Sequence, residues 1–534
     1  MGRRRGGAPR GRHRAGAKPP RAREAVEGLL REGLGFRGFG AGLESEAARA
    51  AEATARNPGA RRDLTALATF TVDPAGARDF DDAVSAQREG DGARVWIHIA
   101  DVAAHVRPGS PLDLEARRRC NSTYVPGAVE PMLPHALSSE ACSLAPGVER
   151  LAVTAEIELG PGAEPRRARF YRSLIRSDAR LDYDQLDAIF AGRARPPQAV
   201  AEPLEAARDV AAGLGEHRGA TSLDVESAEP EFRFDLEGNV TGARAVPQTE
   251  SHRLIERLMI LTNEQVAQLL ERRRVAAIYR VHAQPDPPRI ERLLEQLAAL
   301  GIPTPPLRQG LSPRAAGELA AAASRLVRRE ARRRGHGERA YMSLLLRSLK
   351  QASYSERNSG HAGLGSAAYT HFTSPIRRYP DLVVHRALLA ALGEGEEAPR
   401  RADARDVAAE CSAQERESAK IEHGADDVCA AYLLQRELAE RGPETSFEGG
   451  ISGVIRAGAF VSFGGELGDV YEGMLPARVL PGERFELDRA EVALVGRGSG
   501  TTLRLGDPIA VRVSGVEAPR GRADLELAAG QPGS

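Results

Sequence analysis

The stretch "LATFTVDPAGARDFDD", residues 67 to 82, carries four aspartates within ten positions, Asp73, Asp79, Asp81 and Asp82, directly behind a β-prone run. Leu67, Thr69, Phe70, Thr71 and Val72 suit a pleated, half-buried strand, so Asp73 is expected to end one. The Pro-Ala-Gly-Ala-Arg segment then turns the chain and brings the last three acids back beside the first. Four ionised carboxylates at this spacing repel one another, and in a partly buried pocket they protonate or recruit a cation. Hard oxygen ligands in a cluster select magnesium or manganese over zinc, and two ions are plausible here. The competing readings are an acidic turn in solvent and a calcium loop. The calcium loop fails on spacing, because the sixth and twelfth positions counted from Asp73 are Arg78 and Val84 rather than glycine and glutamate.

Around this stretch, short β-prone runs dominate from Arg61 to about Leu159, among them "RVWIHIADVAAHV" (94 to 106) and "RLAVTAEIEL" (150 to 159). "RARFYRSLIRSDARL" (167 to 181) continues them, and a twisted sheet is expected. Helical patterns follow at 252 to 272, 289 to 300, 313 to 350 and 380 to 392, and these are expected to cover the sheet. Residues 24 to 57 read as a helical lead-in, and 403 to 440 as a helical connector after the breaker-rich "GEGEEAPRR" (393 to 401). From 446 to 528 the pattern changes to β-runs separated by Gly, Pro and Asp turns, the rhythm of a small five-stranded barrel. Phe460, Phe463 and Tyr471 fall in its early strands, where single-stranded nucleic acid stacks on aromatic rings. One or two of the three are expected to belong to the core instead, at least Phe460, which lies between two apolar neighbours.

At 534 residues the chain is long enough for several domains, and 42% hydrophobic with 28% charged residues describes a globular protein. No apolar run approaches the roughly 18 to 20 residues of a membrane span. The four cysteines, Cys120, Cys142, Cys411 and Cys429, form no CxxC pair, so neither disulfides nor zinc is indicated, and a cytoplasmic protein with reduced thiols is expected. The net charge of zero hides an asymmetry. Nine Lys/Arg and no acid lie in residues 1 to 23, leaving 65 basic against 74 acidic residues in the rest. This Gly-, Ala- and Pro-rich tail is expected to be disordered, either as a nucleic-acid-binding arm or as a solubilising leader.

The most specific string is "AAYTHFTSPIRRYPDLVVHR", residues 367 to 386. Pro380 suits the start of a helix, which places Arg377 and Arg378 at a helix N-terminus, where backbone amides and guanidinium groups together favour phosphate. An ordinary basic turn is the alternative when the string is taken alone. Beside an acidic cation site it becomes an electrophilic clamp for a phosphodiester.

With these strings in place the chain resembles the ribonuclease II and ribonuclease R family of exoribonucleases. The resemblance runs through "RRDL" (61 to 64), "TVDPAGARDFDDAV", "WIHIADVAAHV", "NSTYVPGAVEPMLPHALSSEACSL", "IERLMILTNEQVA", "YRVH" and "HFTSPIRRYPDLVVHR", in the family's order. It implies an α+β fold, with an RNB-type catalytic domain over 58 to 395, a twisted sheet covered by helices, followed by an S1-type RNA-binding OB-fold. It also implies hydrolysis of single-stranded RNA from the 3′ end to nucleoside 5′-monophosphates with magnesium or manganese, by a monomer. Carried over residue by residue, the resemblance makes Asp73 and Asp82 the main metal ligands, with Asp79 and Asp81 completing the set. It gives Asp81 an essential part in the chemistry, and gives Arg377 the scissile phosphate with Arg378 assisting. It places Tyr124 against the terminal base and Tyr279 as a weaker candidate for the opposite jaw.

The pattern also departs from the family. Its larger members carry two cold-shock OB-folds before the catalytic domain, where this chain has only residues 1 to 60, and both barrels are expected to be missing. Ala425 stands where the family commonly has glutamate and Ala362 where it has phenylalanine, neither in the acidic cluster. A catalytically silent RNA-binding regulator that keeps the fold is the second reading. Its signature would be loss of one of the four aspartates or of Arg377, and all five are present. Association with a helicase or the ribosome cannot be read from these residues.

Overall fold

The computed structural model describes residues 21–218, 229–307, 310–465, 469–480 and 483–528. Most of the basic tail, residues 1 to 20, lies outside the described residues, and its last residues already begin a helix. The lead-in is two helices, α1 (Ala22–Leu34) and α2 (Ala41–Arg56). The chain then enters a seven-stranded sheet built from β1 (Arg62–Asp63), β2 (Phe70–Asp73), β3 (Asp82–Glu89) and β4 (Gly92–Ala100), and later β7 (Glu149–Leu159), β8 (Pro165–Arg176) and β9 (Ala179–Asp182). Between β4 and β7 lie helix α3 (Pro111–Arg119) and a hairpin, β5 (Thr123–Val125) and β6 (Ala128–Glu130). The strand order is β1-β8-β7-β4-β3-β2-β9. The middle of the sheet is antiparallel, while β2 and β9 run parallel, pairing Asp73 with Asp182. Val95, Ile97, His98 and Ile99 of β4 are all fully buried, the mark of a central strand covered on both faces.

After β9 come α4 (Tyr183–Phe190), α5 (Ala201–Arg218), a second hairpin of β10 (Glu229–Phe234) and β11 (Val240–Val246), and the long α6 (Glu250–Arg273). Helix α5 packs on β3, and α6 crosses β4. Strand β12 (Tyr279–Val281) precedes a three-helix group, α7 (Pro287–Ala299), α8 (Pro313–Arg334) and α9 (Glu338–Ser348). The single helix expected over 313 to 350 is therefore two, broken where Gly335 and Gly337 adopt left-handed backbone, with φ of 76° and 85°. β13 (Ser353–Ser355) pairs with β12, and α10 (Tyr379–Leu392), with Pro380 in its first turn and Gly393 closing it, sits in the middle of the main core. Helix α11 (Arg401–Arg441) has 41 residues and runs about 60 Å. Its Val407 and Cys411 belong to the sheet's core, Ile421 and Ala425 pack with α1, and Leu434 enters the barrel core.

The C-terminal unit is a closed five-stranded barrel of β14 (Ser446–Ile455), β15 (Gly458–Phe463), β16 (Tyr471–Pro476), β20 (Pro508–Glu517) and β21 (Arg522–Leu527). The run "FELDRAEVALVG" is not a barrel strand. It opens an antiparallel excursion of β17 (Phe485–Leu487), β18 (Ala493–Gly496) and β19 (Thr502–Arg504). The excursion's flanking Val492 and Leu505 bury into the α7–α9 core, and Gln296 Nε2 donates to the Ala490 carbonyl at 2.9 Å. All four cysteines are buried and free, and among the described residues no helix is long and apolar enough to cross a membrane.

Candidate active site

Asp73 ends β2 and Asp82 begins β3, so two of the four carboxylates stand on adjacent antiparallel strands at the same end of the sheet. The loop between them is held from within. Ala77 N–H closes a turn on the Pro74 carbonyl at 2.9 Å, and Phe80 is a buried anchor whose N–H donates to Ser143 Oγ at 3.1 Å and whose carbonyl accepts from Leu144 N–H at 3.0 Å. With Phe80 fixed inward, its neighbours Asp79 and Asp81 are aimed at the site. Asp81 is 4% exposed. Its Oδ1 accepts the Ile376 N–H at 2.8 Å, while Oδ2 is buried with no hydrogen bond and lies 3.4 Å from Arg377 Nε.

The arginine comes from the loop before α10. Asp381, fully buried in the first turn of that helix, accepts from Ser374 N–H at 2.8 Å and from Arg378 Nη2 at 2.7 Å, which ties the loop to the helix start. Ser374 Oγ in turn accepts from Arg377 Nη2 at 3.1 Å. The Arg377 side chain remains 45% exposed. It is a guanidinium anchored on one edge and open on the other.

Burial pushes the carboxyls of Asp73 and Asp82 up to about 8 and about 6; Asp82 and Asp81 add repulsion at Asp73, while Arg377 and Arg378 oppose the rise at Asp82. Asp81 is also driven well above the carboxylate range by burial, against the pull of Arg377. Asp73 Oδ2, like Asp81 Oδ2, is buried without a hydrogen-bond partner. Among the described residues no group of three or more His, Cys, Asp or Glu side chains is already arranged to hold a metal ion. Orphaned carboxylate oxygens whose charge lacks sufficient positive compensation nevertheless fit a hard divalent cation, and Asp73, Asp79, Asp81 and Asp82 are the residues that would hold it.

A family model for the RNB domain matches residues 61–394. The chain belongs to the RNB-domain family. Ribonuclease R of Vibrio parahaemolyticus is 34% identical over 487 residues, an alignment covering 88% of this chain and 56% of the relative, so the chain spans little more than half the length of that protein. The solved structure of Mycoplasma genitalium RNase R in complex with ribose-methylated single-stranded RNA superposes with a TM-score of 0.85 at 27% identity, covering 94% of this chain and 77% of that one. Yeast Ssd1, a pseudonuclease, shares the fold, with a TM-score of 0.66, 19% identity, and coverage of 89% and 58%.

In this RNB domain Tyr124 stands on the rim, 41% exposed, with its hydroxyl donating to Asp79 Oδ2 at 2.9 Å and its N–H donating to Glu422 of α11 at 2.8 Å. Other expected contacts lie elsewhere. Arg378 is turned inward onto Asp381 and serves the loop rather than the open site. Tyr279 is 6% exposed inside the main core on β12, so it cannot be the second jaw. In the barrel the expectation for the aromatics is reversed. Strand alternation sends Ala459, Val461 and Phe463 inward and Phe460 outward; Phe463 and Tyr471 are 0% and 2% exposed, with ring centroids 5.7 Å apart, and Phe460 is half-buried on the outer face. Residues that the sequence reading missed also surround the pocket. Arg180 donates to the Pro74 and Ala75 carbonyls at 2.9 and 2.8 Å, capping the acidic turn with a cation, and Tyr183 stacks on His252 at 3.9 Å beside Asp73 and Asp82. Only the density of charge in "SDARLDYD" hinted at them.

Proposed function

We propose that the chain hydrolyses single-stranded RNA from its 3′ end with magnesium, or manganese in its place, releasing nucleoside 5′-monophosphates. The observation that carries this reading is the meeting of Asp81 and Arg377, with an orphaned carboxylate oxygen 3.4 Å from a guanidinium that is open on its other edge. The ribonuclease R relative and the RNA-bound neighbour support the substrate class. When bound, hard divalent cations supply Lewis acidity toward the phosphoryl oxygens.

The chain's own residues do the rest. Arg377 offers N–H donors to the non-bridging oxygens and holds fixed positive charge where negative charge develops. The Ile376 amide keeps Asp81 aimed at the same point, and Asp381 keeps the arginine loop from shifting. Tyr124 offers a ring face at the rim for the last base, so that the last phosphate is the one brought to the acids. Retention of all four aspartates and Arg377 argues against a silent RNA-binding protein.

The test is a time course on 5′-labelled single-stranded RNA, with and without magnesium, and with a DNA strand of equal sequence beside it. Stepwise shortening of RNA alone, dependent on the metal and releasing 5′-monophosphates, is the expected result. RNA that is bound but stays intact under every metal condition would overturn the reading in favour of the binding protein.

A further inference from the structure

The loop Gly35 to Gly40, "GFRGFG", joins α1 to α2, and the proposed chemistry makes no use of it. It closes over Arg119, the last residue of α3, which is 1% exposed. A guanidinium buried so deeply must have its donors met. Nε donates to Glu115 at 2.8 Å, Nη1 to Glu130 at 2.6 Å and to the Pro131 carbonyl at 2.9 Å, and Nη2 to the Gly38 carbonyl. The rings of Phe39 and Phe36 lie 3.8 and 4.5 Å from its Cζ, within cation–π range. Gly38, with a left-handed φ of 59°, also donates its N–H to the same Glu130 oxygen at 2.7 Å. One loop therefore grips an arginine and its carboxylate partner together.

Arg119 and Glu130 are the two feet of the segment that carries Tyr124. Cys120 follows Arg119 with a φ of 60° and leads the chain into β5, and Glu130 closes β6 directly opposite Thr123. The hairpin is also held by α11, where Thr123 Oγ1 donates to Ser418 at 3.1 Å and Tyr124 N–H to Glu422, by Val125 packing against Val26 and Leu30 of α1, by Ser122 N–H donating to the Arg377 carbonyl at 2.9 Å, and by the Tyr124 hydroxyl on Asp79.

We propose that the Gly35–Gly40 loop is a positioning clasp: through the Arg119–Glu130 pair it fixes how far Tyr124 overhangs the acidic site, and so how the terminal nucleoside is gripped. Phe36, Phe39 and Arg119 act through Tyr124 and do not touch substrate. The part concerning substrate rests on the exoribonuclease reading; the part concerning the hairpin does not.

Removing Arg119 would leave Glu130 buried and unpaired and threaten folding. The variants are therefore Phe39→Leu and Phe36→Leu, with melting temperature as the control for fold. Without any RNA, amide hydrogen exchange at residues 121 to 130 is expected to quicken about tenfold in Phe39→Leu while exchange in the barrel strands stays unchanged. Unchanged exchange in the hairpin would overturn the clasp. On single-stranded RNA, Phe39→Leu is expected to raise KM about three- to tenfold with kcat within about twofold, and to have no further effect in a Tyr124→Ala background. The same loss in both backgrounds would show that the loop acts on stability alone and not through Tyr124. A wild-type protein that leaves RNA intact would refute the exoribonuclease reading, and the exchange experiment would still decide the clasp.

Discussion

Asp81 in the sheet domain and Phe463 in the barrel are both buried, at 4% and 0% exposure, yet their surroundings are opposite in kind. Phe463 is surrounded by Phe447 and Tyr471, with ring centroids 5.3 and 5.7 Å away, and its burial is favourable in itself. Asp81 has an orphaned oxygen, a raised carboxyl and acidic neighbours, and its burial is unfavourable without a cation. A fold keeps such a group where chemistry needs it. On the proposed function, the difference separates the domain that would carry the reaction from one that is simply well packed, and each consequence can be measured.

The largest effect is expected at the reacting pair. Asp81→Asn keeps the acceptor for the Ile376 amide but removes the charge, and should lower turnover by about a thousandfold or more without lowering the melting temperature. Arg377→Ala should act alike in a rapid-quench assay. The barrel counterpart is Phe463→Ala, which should cost about 3 to 5 kcal/mol, seen by calorimetry as an earlier barrel transition while the sheet's transition stays in place.

Next in size is the metal. Magnesium at about a hundred times its dissociation constant should stabilise the sheet domain by about 2.7 kcal/mol and leave the barrel transition unmoved.

The pH response follows from the same contrast. Asp73 and Asp82 have folded values of about 8 and about 6, above their ordinary value of 3.8. In the metal-free protein their contribution is therefore fully present at low pH and lost as pH rises through 6 and 8. Burial pushes His98 down to about 3 and His385 to about 4 from 6.5, so their contribution is present above 6.5 and lost as pH falls toward 4. The two limbs largely cancel between about pH 4 and 6, so the metal-free sheet domain should change little in stability there and fall above about pH 6.5 as Asp73 alone continues toward its folded value of about 8, a fall that magnesium should flatten. Residues 446 to 528 contain no histidine, so the barrel should lack the histidine-driven acid limb. Thermal melts across pH, with and without magnesium, check all of this. The smallest effect is expected from Phe460→Ala, which should weaken retention of single-stranded RNA by about 1 kcal/mol in a filter-binding assay and leave single-turnover cleavage at saturation unchanged.

The acidic loop and the arginine loop were legible in the sequence because charge density and proline are local signals. Asp73 at a strand end and Arg377 just before a helix were readable from a few neighbouring residues, whereas Asp82, expected in the returning loop, starts the next strand. What was not readable depended on which face of a strand a side chain occupies. Phe460, Phe463 and Tyr471 are chemically alike, and only barrel closure and two-residue alternation decide that Phe460 is the one left outside. Arg378 was grouped with Arg377 because they are adjacent, but the buried Asp381 turns it inward. The role of the lead-in loop "GFRGFG" was not legible, because its partner Arg119 lies some eighty residues away in the chain.

The most direct measurement places the two domains side by side: RNA retention and single-turnover cleavage, each measured with magnesium for Asp81→Asn and for Phe460→Ala. The account predicts that Asp81→Asn holds RNA but does not shorten it, whereas Phe460→Ala holds it less firmly and shortens it at the normal rate once saturated. Substantial cleavage by Asp81→Asn would contradict the account, because the buried carboxylate would then not be part of the reacting centre.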